Sequence, residues 1–155
     1  MRKSQVDYRK FLCVDHGGKR IGIAVSNETA FIARPHRIIK HISREEDATR
    51  VLEIAIIENC TDILVGVPYD SDGGIGVAAR RVLRFVELLK SISPVPVHLW
   101  DETGSSLALE VLSIRKGESS KQRRKPSDDR VAALILQDYL DHQAIQRDND
   151  ATVQS

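Results

Sequence analysis

The feature that most constrains this chain is its opening pattern of two apolar runs around a glycine turn. Phe11-Leu12-Cys13-Val14 ends in Asp15, Gly17-Gly18 follows, and Ile21 to Val25 forms the second run. Two short apolar runs joined by a glycine-rich turn predict a β-hairpin. Phe31 to Ile42 alternates loosely and predicts a third strand despite Pro35. Ser43, with Glu46 three residues on, is a capping box. It opens a helix with Ala48, Val51, Leu52, Ala55 and Ile56 on one face. Ile63 to Val67 reads as a buried strand closed by Pro68, and a second helix runs from about Val77 to Lys90. Val95, Val97 and Leu99 mark a strand ending at Asp101-Glu102, and a third helix covers roughly Ser106 to Arg115. Ser127 or Asp128 caps a last helix, whose apolar stripe leads through Leu136, Tyr139 and Leu140. Strands first, then alternating helices and strands, predict an α/β fold: a mixed sheet with helices on its faces.

The sequence divides into a basic arm at residues 1–10, one domain at residues 11–142 and a polar tail at residues 143–155 predicted to be disordered. A chain of 155 residues buries a core without staples. Cys13 and Cys60 form no Cys-x-x-Cys or Cys/His cluster, so a zinc site or disulfide framework is not expected. No apolar run is long enough to span a membrane, and the arm lacks a signal-peptide core. The expected location is the cytoplasm, or an organelle if the source is eukaryotic. The net charge is only +1, but Arg115, Lys116, Lys121, Arg123, Arg124 and Lys125 crowd one segment. Local charge matters more than the sum when a phosphate chain is steered.

Three acidic positions carry the candidate chemistry. Asp15 ends the first strand, Glu102 ends the last strand, and Asp128 begins the last helix. Ligands in open α/β sheets gather at the carboxyl ends of parallel strands, so these carboxylates can converge. Bringing them together is unfavourable unless cations balance them. Oxygen-only ligands favour Mg2+ or Mn2+. Two such ions roughly 3.5–4 Å apart activate water and stabilise the leaving oxygen in phosphodiester cleavage. Against this, a single Asp at a strand end is commonly a turn or helix cap, and Asp128 is a ready N-cap.

Cys13-Val14-Asp15-His16-Gly17-Gly18-Lys19-Arg20-Ile21-Gly22-Ile23-Ala24-Val25-Ser26 resembles the opening motif of the YqgF (RuvX) family. Val65-Gly66-Val67-Pro68 with Asp72-Gly73 and Gly76 resembles its second motif, and Asp101-Glu102 with Ser105-Ser106 its third. Asp128 followed by Ala132-Ala133-Leu134-Ile135-Leu136-Gln137 resembles its fourth. The match runs from about Phe11 to Asp141. Family members are described as ribonuclease-H-like Holliday junction resolvases and pre-16S ribosomal RNA nucleases. The resemblance implies a metal-dependent endonuclease with a ribonuclease-H-like sheet and helices on both faces. It implies Asp15, Glu102 and Asp128 as catalytic metal ligands, with Asp129 as the competing neighbour of Asp128. The substrate is then structured RNA or branched DNA, and the protein a monomer or homodimer. The chain departs from the pattern at Thr103, where Arg is usual, at Gly104, and at His16 and Asn27. An Arg beside the metals holds a phosphate or fixes a carboxylate, so Thr103 bears on efficiency.

Lys19, Arg20, Lys121, Arg123, Arg124 and Lys125 are the candidate phosphate contacts. The glycines at 73, 74 and 76 precede a helix; they either admit a phosphate to its N-terminus or simply make a turn. Trp100 and Cys13 read as packing residues. His16 reads as a support for the metal ligand, a general acid or a structural residue, and the other histidines have no evident partners. Two further classes remain: a nucleotide-binding protein of the actin-like type, for which the chain lacks a second lobe, and a module that binds nucleic acid without cutting.

Overall fold

β1 (Phe11–His16) and β2 (Arg20–Ser26) pair antiparallel, with Leu12 opposite Val25 and His16 opposite Ile21. The turn between them depends on glycine. Gly17 N–H donates to Arg20 O at 2.9 Å, and a Cβ on Gly17 would lie 2.5 Å from that oxygen. This computed structural model describes residues 7–102 and 128–154. β3 (Ala33–Lys40) pairs antiparallel with β2 and forms one edge of the sheet. An edge position and a bulge between Ile23 and Ala24 accommodate Pro35, which donates no ladder hydrogen bond.

α1 (Arg44–Ile57) starts as expected, with the Ser43 side chain accepting from the Glu46 amide. β4 (Asp62–Val67) then pairs parallel with β1. α2 (Val77–Ile92) crosses over to β5 (Val97–Asp101), which pairs parallel with β4. The five-stranded sheet has the order β3-β2-β1-β4-β5. α3 (Asp128–Gln154) packs on the other face. The third helix expected at 106–115 and the basic segment lie outside the described residues.

Two cores flank the sheet. On one face Leu12, Val14, Ile63 and Val65 meet Val51 of α1 and Val82 and Phe85 of α2. On the other Phe11, Cys13 and Leu64 meet Val131, Ile135 and Tyr139 of α3. The break in the α3 stripe at Asp138 has a reason: Trp100 Nε1–H donates to its Oδ2 at 2.8 Å. Gln137 fastens α3 to the opposite edge, accepting from Ala33 N and donating to Phe31 O, each at 2.9 Å. Among the described residues no helix is long and apolar enough to cross a membrane.

Helix and contacts extend toward both termini. The tail expected to be disordered continues α3 to Gln154. Polarity excludes a buried face, but Gln, Ala, Ile and Arg at 143–147 do not oppose helix, and Arg147 reaches the Phe31 ring. The arm is docked from Tyr8 onward. Tyr8 O–H donates to Asn59 O, and Lys10 pairs with Glu58 at 3.8 Å.

Asp62, buried at the amino end of β4, ties this corner together. It accepts from Arg9 at 3.3 Å and from Thr61 Oγ1 at 2.7 Å, and it meets His98 Nε2 at 2.8 Å. Burial alone would raise its pKa, but these partners outweigh burial and hold the carboxyl below the usual value. Asp62→Ala is expected to cost about 1–3 kcal/mol of unfolding free energy at neutral pH, measured by urea titration. A depressed folded pKa places this contribution above the unfolded-state value near 4 and removes it as pH falls through the lower folded value. The variant and the wild type therefore converge in acid.

Candidate active site at the carboxyl ends of the parallel strands

Strand side chains alternate between faces. Cys13 belongs to the core beneath α3, so Asp15, two residues on, ends β1 on that same face. Leu64 belongs to it as well, and Gly66 follows two residues later in β4. Trp100 packs there from β5, and Glu102 lies two residues beyond. Asp15 and Glu102 thus come from the carboxyl ends of β1 and β5 and flank Gly66 of the strand between them. Both are buried, at 8% and 6% exposure. Their proximity registers at Cys13: burial, then the Asp15 and Glu102 charges, push its thiol well above the ordinary value. The thiol therefore stays protonated and offers no thiolate ligand.

Gly66 is what lets Glu102 in. A Cβ at position 66 would lie 2.6 Å from Glu102 Oε1 and 3.0 Å from Ile135 Cδ1. The glycine leaves room for a carboxylate between β4 and α3, and the Glu102 amide donates to Val67 O at 3.3 Å. The sequence reading placed Gly66 in a motif without assigning it this task.

α3 brings the third position. Its buried pairs Val131/Ala132, Ile135/Leu136 and Tyr139/Leu140 recur every four residues. Stepping back by four from Ala132 reaches position 128, on the sheet-facing side of the helix backbone. Asp129 accepts from the Arg130 amide at 3.0 Å.

Beside Asp15 the face turns basic. Asp15 pairs with Gly22 and Gly22 with Ile38, a row whose middle member has no side chain. One step along the same face, Arg20 pairs with Lys40. Lys19, Arg20, Ile38 and Lys40 line an open depression of about 370 Å3. Lys19 and Arg20 were expected as phosphate contacts; Lys40 was not, because only the β2–β3 register brings it there. Lys121, Arg123, Arg124 and Lys125 lie outside the described residues.

The glycines before α2 make a turn. Asp70 N donates to Gly74 O and Gly73 N to Asp70 O. A Cβ on Gly76, the α2 N-cap, would lie 2.8 Å from Asp70 Oδ1. An acidic side chain already faces this helix start, which disfavours a phosphate there.

His16 faces away from the carboxylates. By strand parity it lies on the α1/α2 side, with its ring 4.5 Å from that of Phe85. Burial, then the nearby Arg81 charge, lowers its pKa to about 4. It is thus placed neither as a general acid nor as a support for the carboxylate face. His41 and His98 do have partners, Asp47 and Asp62. The His98 pair is 36 residues apart in sequence, a separation with no local signal.

A sequence model of the family described as "RuvX: Holliday junction resolvase" matches residues 9–142. A protein of Thermoanaerobacter pseudethanolicus named "Putative pre-16S rRNA nuclease" is 36% identical over 135 residues, covering 86% of this chain and 97% of its own. One of the same name from Symbiobacterium thermophilum is 37% identical over 131 residues, covering 84% and 91%. Among solved structures, Thermus thermophilus RuvC in complex with a Holliday junction substrate superposes with a TM-score of 0.54 at 19% identity, covering 87% of this chain and 96% of that one. The Fowlpox virus resolvase bound to Holliday junction DNA gives 0.53 at 14% identity, covering 86% and 98%. These two likenesses establish the fold, a mixed sheet of the ribonuclease-H-like class.

The Gly66–Glu102 contact is testable by a double-mutant cycle. Gly66→Ala is expected to destabilise the protein by about 1–3 kcal/mol through overpacking. Placing the same change in a Glu102→Ala background should recover at least about 0.5 kcal/mol, read by urea unfolding.

Proposed function

The chain belongs to the RuvX family of nucleases, and from that premise we propose that it hydrolyses phosphodiester bonds of structured nucleic acid with the help of divalent metal. The observation that carries this reading is the pair of buried carboxylates, Asp15 and Glu102, at one sheet end beside a basic depression. The pre-16S rRNA nuclease name of its relatives favours precursor small-subunit ribosomal RNA, cut in forming its 5′ end, as the substrate. The family description keeps branched DNA as the second reading. Resolving a junction takes two symmetric cuts and hence a homodimer, whereas a single RNA cut is within reach of a monomer. A cytoplasmic location fits the ribosomal reading.

The donor set suits the metal. Carboxylate oxygens fit Mg2+ or Mn2+, and the imidazole that β5 places on the same face, His98, is engaged with Asp62 at the amino end of the sheet. Asp15, Glu102 and Asp128 would hold it, and when bound it supplies Lewis-acid polarisation of the phosphate and a more acidic water. The protein's own groups do the rest. Asp15 and Glu102 hold fixed negative charge at the strand ends, and Glu102, pinned over Gly66, orients the attacking water. Lys19, Arg20 and Lys40 grip phosphates beside the scissile one, and Lys121, Arg123, Arg124 and Lys125 extend the grip. Two carboxylates brought to one buried face favour a divalent cation beside them, and a cation there in turn favours a polyanion.

The test incubates purified protein with labelled precursor ribosomal RNA and with a four-way DNA junction, in Mg2+, Mn2+ or chelator. We expect metal-dependent cutting of the RNA, reduced on the order of a hundredfold or more in Asp15→Ala and Glu102→Ala. Asp128→Ala should lose activity while Asp129→Ala keeps it. Cutting of the junction alone moves the assignment to DNA. Binding without cutting, unchanged in Asp15→Ala, shows a non-catalytic member. A separate binding series measures affinity against salt. Neutralising Lys40 should weaken binding to every sequence alike and flatten the log–log salt slope by about 0.7–0.9.

A further inference from the structure

On the opposite face of the sheet from Asp15, His16, His41 and Asp47 converge from β1, the β3–α1 connection and α1. Each offers one donor atom, and these atoms all lie within 4.8 Å of one another. His16 Nε2 is 4.0 Å from Asp47 Oδ2, and His41 Nδ1 contacts the same oxygen. We propose that this trio is a transition-metal site, a His2Asp centre for Zn2+ that is separate from the carboxylate face and independent of the nuclease reading.

Two observations carry it beyond a cluster of polar residues. His16 is 6% exposed, and neither of its ring nitrogens has a hydrogen-bond partner in another residue. A buried imidazole without partners is unfavourable, and a metal bond to Nε2 removes half of that deficit. Asp47 is also oriented as a ligand. Its Oδ1 is occupied, accepting from the Ile42 amide at 3.0 Å and from Arg50 at 3.2 Å. Its Oδ2 shares a hydrogen bond with His41 Nδ1 and faces the His16 ring, so a metal bound here replaces the proton between His41 and Asp47. A carboxylate fixed through one oxygen and aimed through the other is how an outer partner orients a metal ligand.

The chemistry selects the ion. Two imidazole nitrogens and one carboxylate oxygen, with water in a fourth position, match the tetrahedral preference of Zn2+. They do not suit Mg2+, which prefers six oxygens. Arg81, whose charge reaches His16, opposes any cation here. Only an ion that bonds strongly to nitrogen overcomes that repulsion. His41, whose side chain is 36% exposed, is the point of entry. The site clamps β1, the strand that carries Asp15, to the first residues of α1.

Co2+ reports on this site directly, because four-coordinate cobalt absorbs intensely in the visible. The full chain is stripped with chelator, given excess Mg2+ to occupy the carboxylate face, and titrated with Co2+. We expect one Co2+ per chain with four-coordinate bands, displaced by Zn2+. The bands should vanish in His41→Ala, a half-buried position outside both cores, and persist in Asp15→Ala. Zn2+ should raise the thermal midpoint of the wild type but not of His41→Ala. Absence of the bands, their survival in His41→Ala, or their loss in Asp15→Ala each overturns the proposal.

Discussion

A strand buried on both sides sorts its side chains by parity, and β1 ends on two polar residues of opposite parity. All six residues from Phe11 to His16 are buried. Asp15 follows Cys13 toward α3, while His16 follows Val14 toward α1 and α2. A shift of one residue in the β1 register would exchange the two faces. Register is therefore the constraint behind both candidate sites. It is held by pairing to β2 on one side and β4 on the other, and by the glycine turn at Gly17.

Buried charge is placed differently at the two ends of the sheet. At the amino end Asp62 is surrounded by Arg9, Thr61 and His98, and its charge is answered within the protein. At the carboxyl end Asp15 and Glu102 lie close enough to Cys13 for both charges to act on it. Like charges sharing a site are costly, and the neighbouring basic groups lie toward the β2–β3 edge. The first arrangement suits a corner that must stay closed, because its acceptor capacity is used internally. The second brings two carboxylates from separate strands to one face on either side of Gly66. All three residues are nearly inaccessible, so burial alone does not tell the two corners apart.

Much of this was legible in the sequence because local signals decide it. The hairpin, the Ser43 capping box, the buried β4 run and the fold class all rest on patterns within a few residues. Asp15 and Glu102 were legible as strand-end carboxylates, and the structure brings those two to one face. What escaped depends on register or on long-range packing. Gly66 has no sequence mark of its own beyond its motif; its role exists because Glu102 reaches across from β5. Lys40 joins Arg20 only through the β2–β3 pairing. Asp138 looked like a flaw in the α3 stripe until Trp100 gave it a partner. The helical continuation of α3 through the polar tail had no sequence mark, because polarity excludes burial but not helix.

Charge position, rather than total charge, makes a polyanion substrate feasible for this chain. A net charge of +1 gives almost no long-range attraction, and screening removes interactions between exposed charges beyond about 8 Å at physiological salt. Attraction must therefore come from groups close to the bound backbone. The β2–β3 edge provides them: Arg20 and Lys40 lie on the same face as Asp15 and at the same end of the sheet, and Lys19 lines the same depression. The basic edge and the strand-end Asp15 thus share one face because of the same pairing of β1, β2 and β3.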